Sequence, residues 1–417
     1  MKVLGIITEY NPFHNGHKHH IEEAKKITGA DYVIAVMSGD FVQRGAPAII
    51  SKYDRSLMAL NNGVDLIFEL PICYSTGSAQ YFALGAVALL NSLGIVDYLC
   101  FGSESGNIKN LEEAASLFYY PNESFQSILY SYIREGFSYP AARAKAAEYM
   151  LDNDSKNKKN NIVKVISEPN NILGIEYIKA LKQINSSITP ITIKRHEANY
   201  HDEDPGSLIS SATAIRSILE NIPLKLSSIM ASVPKSVYDY FTDNHNIRYP
   251  ITIEDFAAII KYKLLFEDNK ELASYLDLSS DIADRIKNID IQDKCMTKLS
   301  QDIKTKNITL TRVNRALIHV LLNIKKESFQ EYMEKGIIYY LRVIGMKKEA
   351  SHLIRKIKSQ GRLPVITKVS RANQQLDTLG MRMLNQDIMA THLYNQVIHD
   401  KFRTSILNEY KHGIRIK

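Results

Sequence analysis

The chain has 417 residues, of which 45% are hydrophobic and 23% charged, with three cysteines and a formal net charge of +7. That length and composition predict a soluble globular protein of two or three domains. Neither a membrane span nor a secretory leader is expected, because the longest apolar stretch (residues 81–90) and the first apolar run (residues 3–7) are both too short. Cys73, Cys100 and Cys295 are odd in number and far apart, which argues against a disulfide framework and for a reduced, cytoplasmic setting.

Residues 3–7 read as a buried strand, and residues 21–27 carry apolar positions at helical spacing. Between them lies T-E-Y-N-P-F-H-N-G-H-K-H-H, residues 8–20, at a strand-to-helix turn. Asn11-Pro12 shapes the turn, and Gly16 lets a ligand approach the backbone closely. A helix start offers unpaired N–H groups and the positive end of the helix dipole, which suit a phosphate. His14 and His17, three residues apart on one face, can both donate to phosphate oxygens and stabilise charge as pyrophosphate departs. A metal site would need cysteine or an H-E-x-x-H pattern nearby, and neither is present. H-x-G-H after a first strand resembles the signature of the HIGH-motif nucleotidyltransferase superfamily.

Further strands are predicted at residues 32–37, 65–70 and 98–101, with helices near 52–61 and 78–93. This alternation gives an α/β fold: a Rossmann-like domain with a parallel sheet. Ligands in such sheets bind beyond the carboxyl ends of the strands. His14, Ser38-Gly39-Asp40 and Gly102-Ser103-Glu104 all follow predicted strands, so they should meet at one crevice. Lys52 and Arg55, one turn apart, read as a solvated helix face, the alternative being a hold on phosphates or tRNA.

Residues 152–161 read as a polar, mobile loop, followed by a helix at 172–181, a strand at 191–195 and an acidic, flexible loop at 197–205. Asn170 and Asn171 are by default helix caps. Ile209-Ser210-Ser211-Ala212-Thr213-Ala214-Ile215-Arg216 places hydroxyls at a helix start, with Arg216 one turn on. Alone this is a capped helix. Paired with H-N-G-H about 200 residues earlier, it matches the second phosphate motif of small adenylyltransferases.

Beyond residue 219 helical spacing dominates, at residues 255–266, 311–324, 347–358 and much of 386–410. From residue 341 onward there are 15 Lys and Arg against 5 Asp and Glu, a net of +10 that leaves −3 for the first 340 residues. Such asymmetry suits a polyanion held at one end, although a lysine-rich solvated surface gives the same count. Two domains are expected: residues 1–220, which bind nucleotide, and a mainly helical, basic 221–417.

The assembled segments resemble the bacterial tRNA(Met) cytidine acetate ligase family over essentially the whole chain. They are G-I-I-T-E-Y-N-P-F-H-N-G-H, S-G-D-F-V-Q-R-G-A-P, F-G-S-E and I-S-S-A-T-A-I-R. The resemblance implies a two-step reaction. Acetate and ATP give acetyl-adenylate and pyrophosphate, and the acetyl group then passes to the wobble cytidine of elongator methionine tRNA as N4-acetylcytidine. It implies ATP contacts at Ile7, Thr8, Glu9, Tyr10, Asn11, Pro12, Phe13, His14, Asn15, Gly16, His17, Lys18, His19 and His20, and at Gly102, Asn170 and Arg195. Ser211, Thr213 and Arg216 join them as phosphate clamps, with Mg²⁺ neutralising charge. His14 and His17 are the catalytic candidates, with Asp40 either orienting the cytidine amine or a metal or standing as a turn residue before Phe41. Arg355, Lys356, Lys358 and Arg362 are expected to grip the phosphate backbone of the tRNA anticodon arm. Adenylyl transfer to a small soluble acceptor is the alternative reading. The oligomeric state is open.

Overall fold

A computed structural model describes residues 1–119, 123–150, 156–195, 211–220 and 226–417. The predicted apolar runs become strands β1 (Val3–Thr8), β2 (Tyr32–Ser38), β5 (Leu66–Leu70), β6 (Tyr98–Ser103) and β7 (Thr189–Lys194). A short antiparallel hairpin, β3 (Phe41–Val42) with β4 (Ala46–Pro47), follows β2. Strands β5, β2, β1, β6 and β7 lie side by side in that order, all parallel.

Both faces of this sheet are covered, which is why its strands read as continuous apolar runs. In β2, Ile34 and Val36 join the core beneath the helix Ala79–Ser92. Val33, Ala35 and Met37 point the other way, into a core shared with α1 (Asn15–Thr28) and α2 (Lys52–Asn61). No helix among the described residues is long and apolar enough to cross a membrane.

The later half is mainly helical, yet it returns to the sheet. β8 (Leu341–Met346) pairs antiparallel with β5, and β9 (Val365–Ile366) and β10 (Arg415–Ile416) pair parallel with β8. The completed order is β10-β8-β5-β2-β1-β6-β7, eight strands counting β9. The expected loop at 152–161 is corrected in part. A helix runs Lys156–Ser167, because Ile162, Val165 and Ile166 recur at helical spacing and are buried. Residues 151–155 and the loop expected at 197–205 lie outside the described residues.

Candidate active site

The loop after β1 is locked by its own side chains. Tyr10 sits at φ +47°, in the left-handed region that bulky residues rarely adopt, and its ring is buried. His14 caps α1: its Nδ1 accepts the Gly16 N–H at 3.1 Å, and the His14 N–H donates to Nδ1 of His17 at 3.2 Å. The two imidazoles stack with centroids 3.7 Å apart. Tyr10 and Phe13 back the His17 ring at 4.9 and 5.5 Å.

This arrangement fixes the tautomers. Each Nδ1 accepts a backbone N–H, so the proton of a neutral ring must sit on Nε2. Burial, with a smaller push from Arg195, lowers the His14 pKa to about 4, and burial plus His14, Arg195 and His20 hold His17 well below its ordinary value. Both rings are therefore neutral at pH 7, and each offers an Nε2–H that has no partner among the described residues. The helix start itself corrects the expectation of free amides. The Asn15 N–H goes to Ser232 O at 3.0 Å, Gly16 N to His14 Nδ1, and His17 N to His14 O at 2.9 Å. The imidazoles, rather than the backbone, present the open donors.

Burial, then Arg195 and His19, also lowers His20 to about 4, with its Nε2 3.6 Å from the buried Cys100 thiol. Between about 4 and the ordinary value of 6.5 the unfolded chain binds more protons than the folded one. Stability should therefore be complete above about 6.5 and be lost as pH falls toward 4. His14→Asn, which keeps a capping side chain, is expected to flatten the urea-derived stability profile across that window. A variant with the wild-type slope would contradict the assignment.

A second wall rises at the ends of β6 and β7. Arg195 N donates to Ser103 O at 2.9 Å, and its Nη1 reaches Asn170 Oδ1 at 3.1 Å. A Cβ on Gly102 would stand 3.0 Å from Arg195 Cγ, so glycine keeps this approach open. Glu104, which sequence reasoning placed at the crevice without a role, holds the start of the helix Pro169–Gln183. Its carboxylate accepts from Asn170 N, Asn170 Nδ2 and Asn171 N at 3.1, 2.6 and 2.8 Å.

The third wall is the helix Ala212–Glu220. Ser211 Oγ caps it by accepting from Ala214 N at 3.2 Å, and Thr213 Oγ1 accepts from Arg216 Nη2 at 3.1 Å. Arg216 Nη1 then donates to Asn11 O at 2.7 Å, so the two distant motifs do meet. Ile209 and Ser210 lie outside the described residues.

Other expected residues are arranged differently. Lys18 and His19 are exposed on α1, Lys18 beside Glu22 at 3.9 Å. Glu9 is turned to the β3–β4 hairpin, its Oε1 accepting Gln43 N at 2.7 Å; burial pushes its carboxyl up against the pull of Gln43 N–H, Arg216, Arg55 and Arg44. The hairpin in turn rests on the helix Leu310–Leu321: Gly45 has φ +76°, and a Cβ there would meet Arg315 N at 2.3 Å. Lys52 and Arg55 are no solvated face, since both are fully buried. Arg55 spends its guanidinium on Glu9, Ser38, Gly39 and Ile50 carbonyls. Asp40 Oδ1 accepts Lys52 N at 2.7 Å, at the end of β2.

The basic cluster is not brought to this crevice. Arg355, Lys356 and Lys358 ride on the helix Ser351–Gln360, where His352 meets Tyr32 at the start of β2 with centroids 5.0 Å apart. Arg362 N donates to Ser92 O at 3.0 Å, beside the chain entering β6. These four residues lie at the amino ends of the strands, one sheet length from His14. For the seven residues of β2 that is roughly 20 Å.

Comparison with known proteins agrees with this geometry. The family described as HIGH Nucleotidyl Transferase matches residues 1–409. Proteins named tRNA(Met) cytidine acetate ligase are similar along the chain: that of Acetivibrio thermocellus is 39% identical, covering 94% of each chain, and that of Halothermothrix orenii 40%, covering 96% of each. The crystal structure of Thermotoga maritima TmcAL bound with α-thio ATP superposes with a TM-score of 0.90 at 28% identity, covering 100% of this chain and 99% of that one. Its apo form gives 0.92 at 29% identity with the same coverage. With a HIGH loop on the first strand of a parallel sheet and these relatives matching end to end, the chain belongs to the tRNA(Met) cytidine acetate ligase family of HIGH nucleotidyltransferases.

Proposed function

We propose that the protein activates acetate with ATP, releasing pyrophosphate, and passes the acetyl group from acetyl-adenylate to N4 of the wobble cytidine in elongator methionine tRNA. The observation that carries the first step is the stacked His14–His17 pair, whose pinned Nδ1 atoms leave two neutral Nε2–H donors. In the first step the acetate oxygen attacks the α-phosphorus, and the bond to the pyrophosphate oxygen breaks. The two donors stabilise the charge that moves onto the phosphates. Arg195 and Arg216, on different walls of the crevice, add positive charge without needing to move a proton.

Among the described residues no group of three or more His, Cys, Asp or Glu is placed to hold a metal. Mg²⁺ accompanying the triphosphate would add positive charge to the phosphate oxygens. The test is acetate-dependent exchange of labelled pyrophosphate into ATP, followed by nucleoside analysis of tRNA incubated with labelled acetate. Exchange that ignores acetate, or label absent from N4-acetylcytidine, would refute the reading.

Residues 221–417 serve the tRNA in this reading. Lys356 is half-buried and Arg355, Lys358 and Arg362 are exposed, all without ion-pair partners among the described residues. From the amino ends of the strands they act on backbone phosphates remote from the wobble nucleotide, positioning tRNA without reading its sequence. Reversing Arg355, Lys356 and Lys358 to glutamate is expected to weaken tRNA binding and to lower the slope of log affinity against log salt by about 2–3. Pyrophosphate exchange should stay at the wild-type rate. Unchanged binding would remove this helix from the interface.

A further inference from the structure

A cavity of about 310 Å³ opens at the carboxyl end of β2, apart from the imidazole pair. Asp40 and Ser51 line it from one side, Arg248, Thr391 and Asn395 from others, and Arg415 closes it through the C-terminal tail. Its size is at the lower limit of ligand pockets. Two buried polar atoms on its lining residues have no hydrogen-bond partner: Oδ2 of Asp40, a residue 2% exposed, and Nε of Arg415. One is an acceptor and the other a donor. Leaving such atoms unsatisfied costs stability unless water or a ligand completes them.

Hydrogen bonds link the Asp40 wall of the cavity to the loop after β1. One guanidinium, Arg55, binds Glu9 O at the end of β1 together with Ser38 O and Gly39 O at the end of β2. Strands β1 and β2 are direct neighbours, so their ends stand about 4.8 Å apart. The segment after the hairpin ties both together: Ala48 N donates to Asp40 O at 2.8 Å, and Ile49 N to Asn11 Oδ1 at 2.8 Å.

We propose that this cavity receives the acceptor base, a cytosine turned out of the anticodon loop, with its exocyclic amine on Asp40 Oδ2 and its ring acceptors toward Arg415. The inference rests on the function proposed above and deepens it. Cytosine carries an amine donor beside ring acceptors, the complement of the two unsatisfied atoms. Uracil would set its O4 against the carboxylate, so the same pair of atoms rejects it. The amine nitrogen attacks the acetyl carbonyl carbon. The new N–C bond forms as the carbon–oxygen bond to the adenylate phosphate breaks, AMP leaves with the bonding electrons, and the proton lost by nitrogen passes to Asp40. Burial raises the Asp40 carboxyl against the pull of Lys52 and Arg55, which makes it a better base than a surface aspartate.

The experiment supplies two donors, ATP with acetate and chemically prepared acetyl-adenylate, to the wild type, Asp40→Asn and Asn395→Trp. Asparagine preserves the acceptor that holds Lys52 N, and tryptophan fills the cavity while leaving the Asp40 side chain unchanged. Transfer to tRNA from acetyl-adenylate is expected to fall about 100-fold in Asp40→Asn and comparably in Asn395→Trp, so that in both the ratio of transfer to pyrophosphate exchange collapses. Equal losses of exchange and transfer, or transfer at the wild-type rate, would overturn the assignment. A wild type that transfers from acetyl-adenylate yet never exchanges pyrophosphate would remove only the activation step, and the variants would still decide for the cavity. No transfer from either donor would sink both proposals.

Discussion

Replacing His17 with alanine is expected to slow acetate-dependent pyrophosphate exchange by about 100-fold or more, the range seen when one preorganised donor to a developing anion is removed. The substitution deletes an Nε2–H donor and also the Nδ1 that accepts the His14 N–H at 3.2 Å. The second loss frays the start of α1, and the two effects must be separated. His17→Glu does so, because a glutamate at the third helical position can reach back to the capping residue's N–H but carries no donor. We expect His17→Glu to restore most of the thermal stability lost in His17→Ala while exchange stays slow. If glutamate restored the rate as well, the imidazole would be a cap and the donor assignment would fail. Because the ring is already neutral at pH 7, the loss should be the same at pH 6 and pH 8.

That residue was open to sequence reasoning because everything defining it is local. The apolar run of β1, the Asn11-Pro12 turn and the histidine spacing all lie within fifteen residues, and a helix start after a strand follows from them. The meeting of Arg216 with Asn11 is readable only from the pair of motifs, since residues 209–216 alone read as a capped helix and a parallel sheet offers both motifs one crevice. What stayed hidden depends on partners remote in the chain. Lys52 and Arg55 at helical spacing look like a wet surface. Only the fold shows that Arg55 is answered by carbonyls from two strand ends, and Lys52 by Glu409, 357 residues away. Residues 341–346 form a central strand, but Arg342 interrupts the apolar run that would have announced it. The Lys- and Asn-rich start of the helix Lys156–Ser167 masked its three buried apolar positions in the same way.

The remote partners converge on one buried cluster, and its disruption should give the largest stability effect. Lys52 Nζ contacts Glu69 at 2.9 and 3.1 Å, Thr391 Oγ1 at 2.8 Å and Glu409 at 3.1 Å. Arg342 bonds Glu409 and lies 2.9 Å from Glu69. Two cations thus balance two carboxylates, all at most 3% exposed. Burial alone would raise the Glu409 carboxyl, but Lys52 and Arg342 hold it down near 2. Lys52→Met leaves two buried carboxylates facing one guanidinium, a change expected to cost about 3–5 kcal/mol in urea unfolding. Adding Glu409→Gln restores the charge balance, so the double variant should be more stable than the sum of the single losses, by a coupling of about 1–3 kcal/mol. Glu409 also anchors the tail that carries Arg415 over the Asp40 cavity, so Lys52→Met should expose the tail to limited proteolysis before the sheet unfolds. A cost below about 1 kcal/mol, in the range of a surface pair, would mean that the tail is held by something other than this cluster.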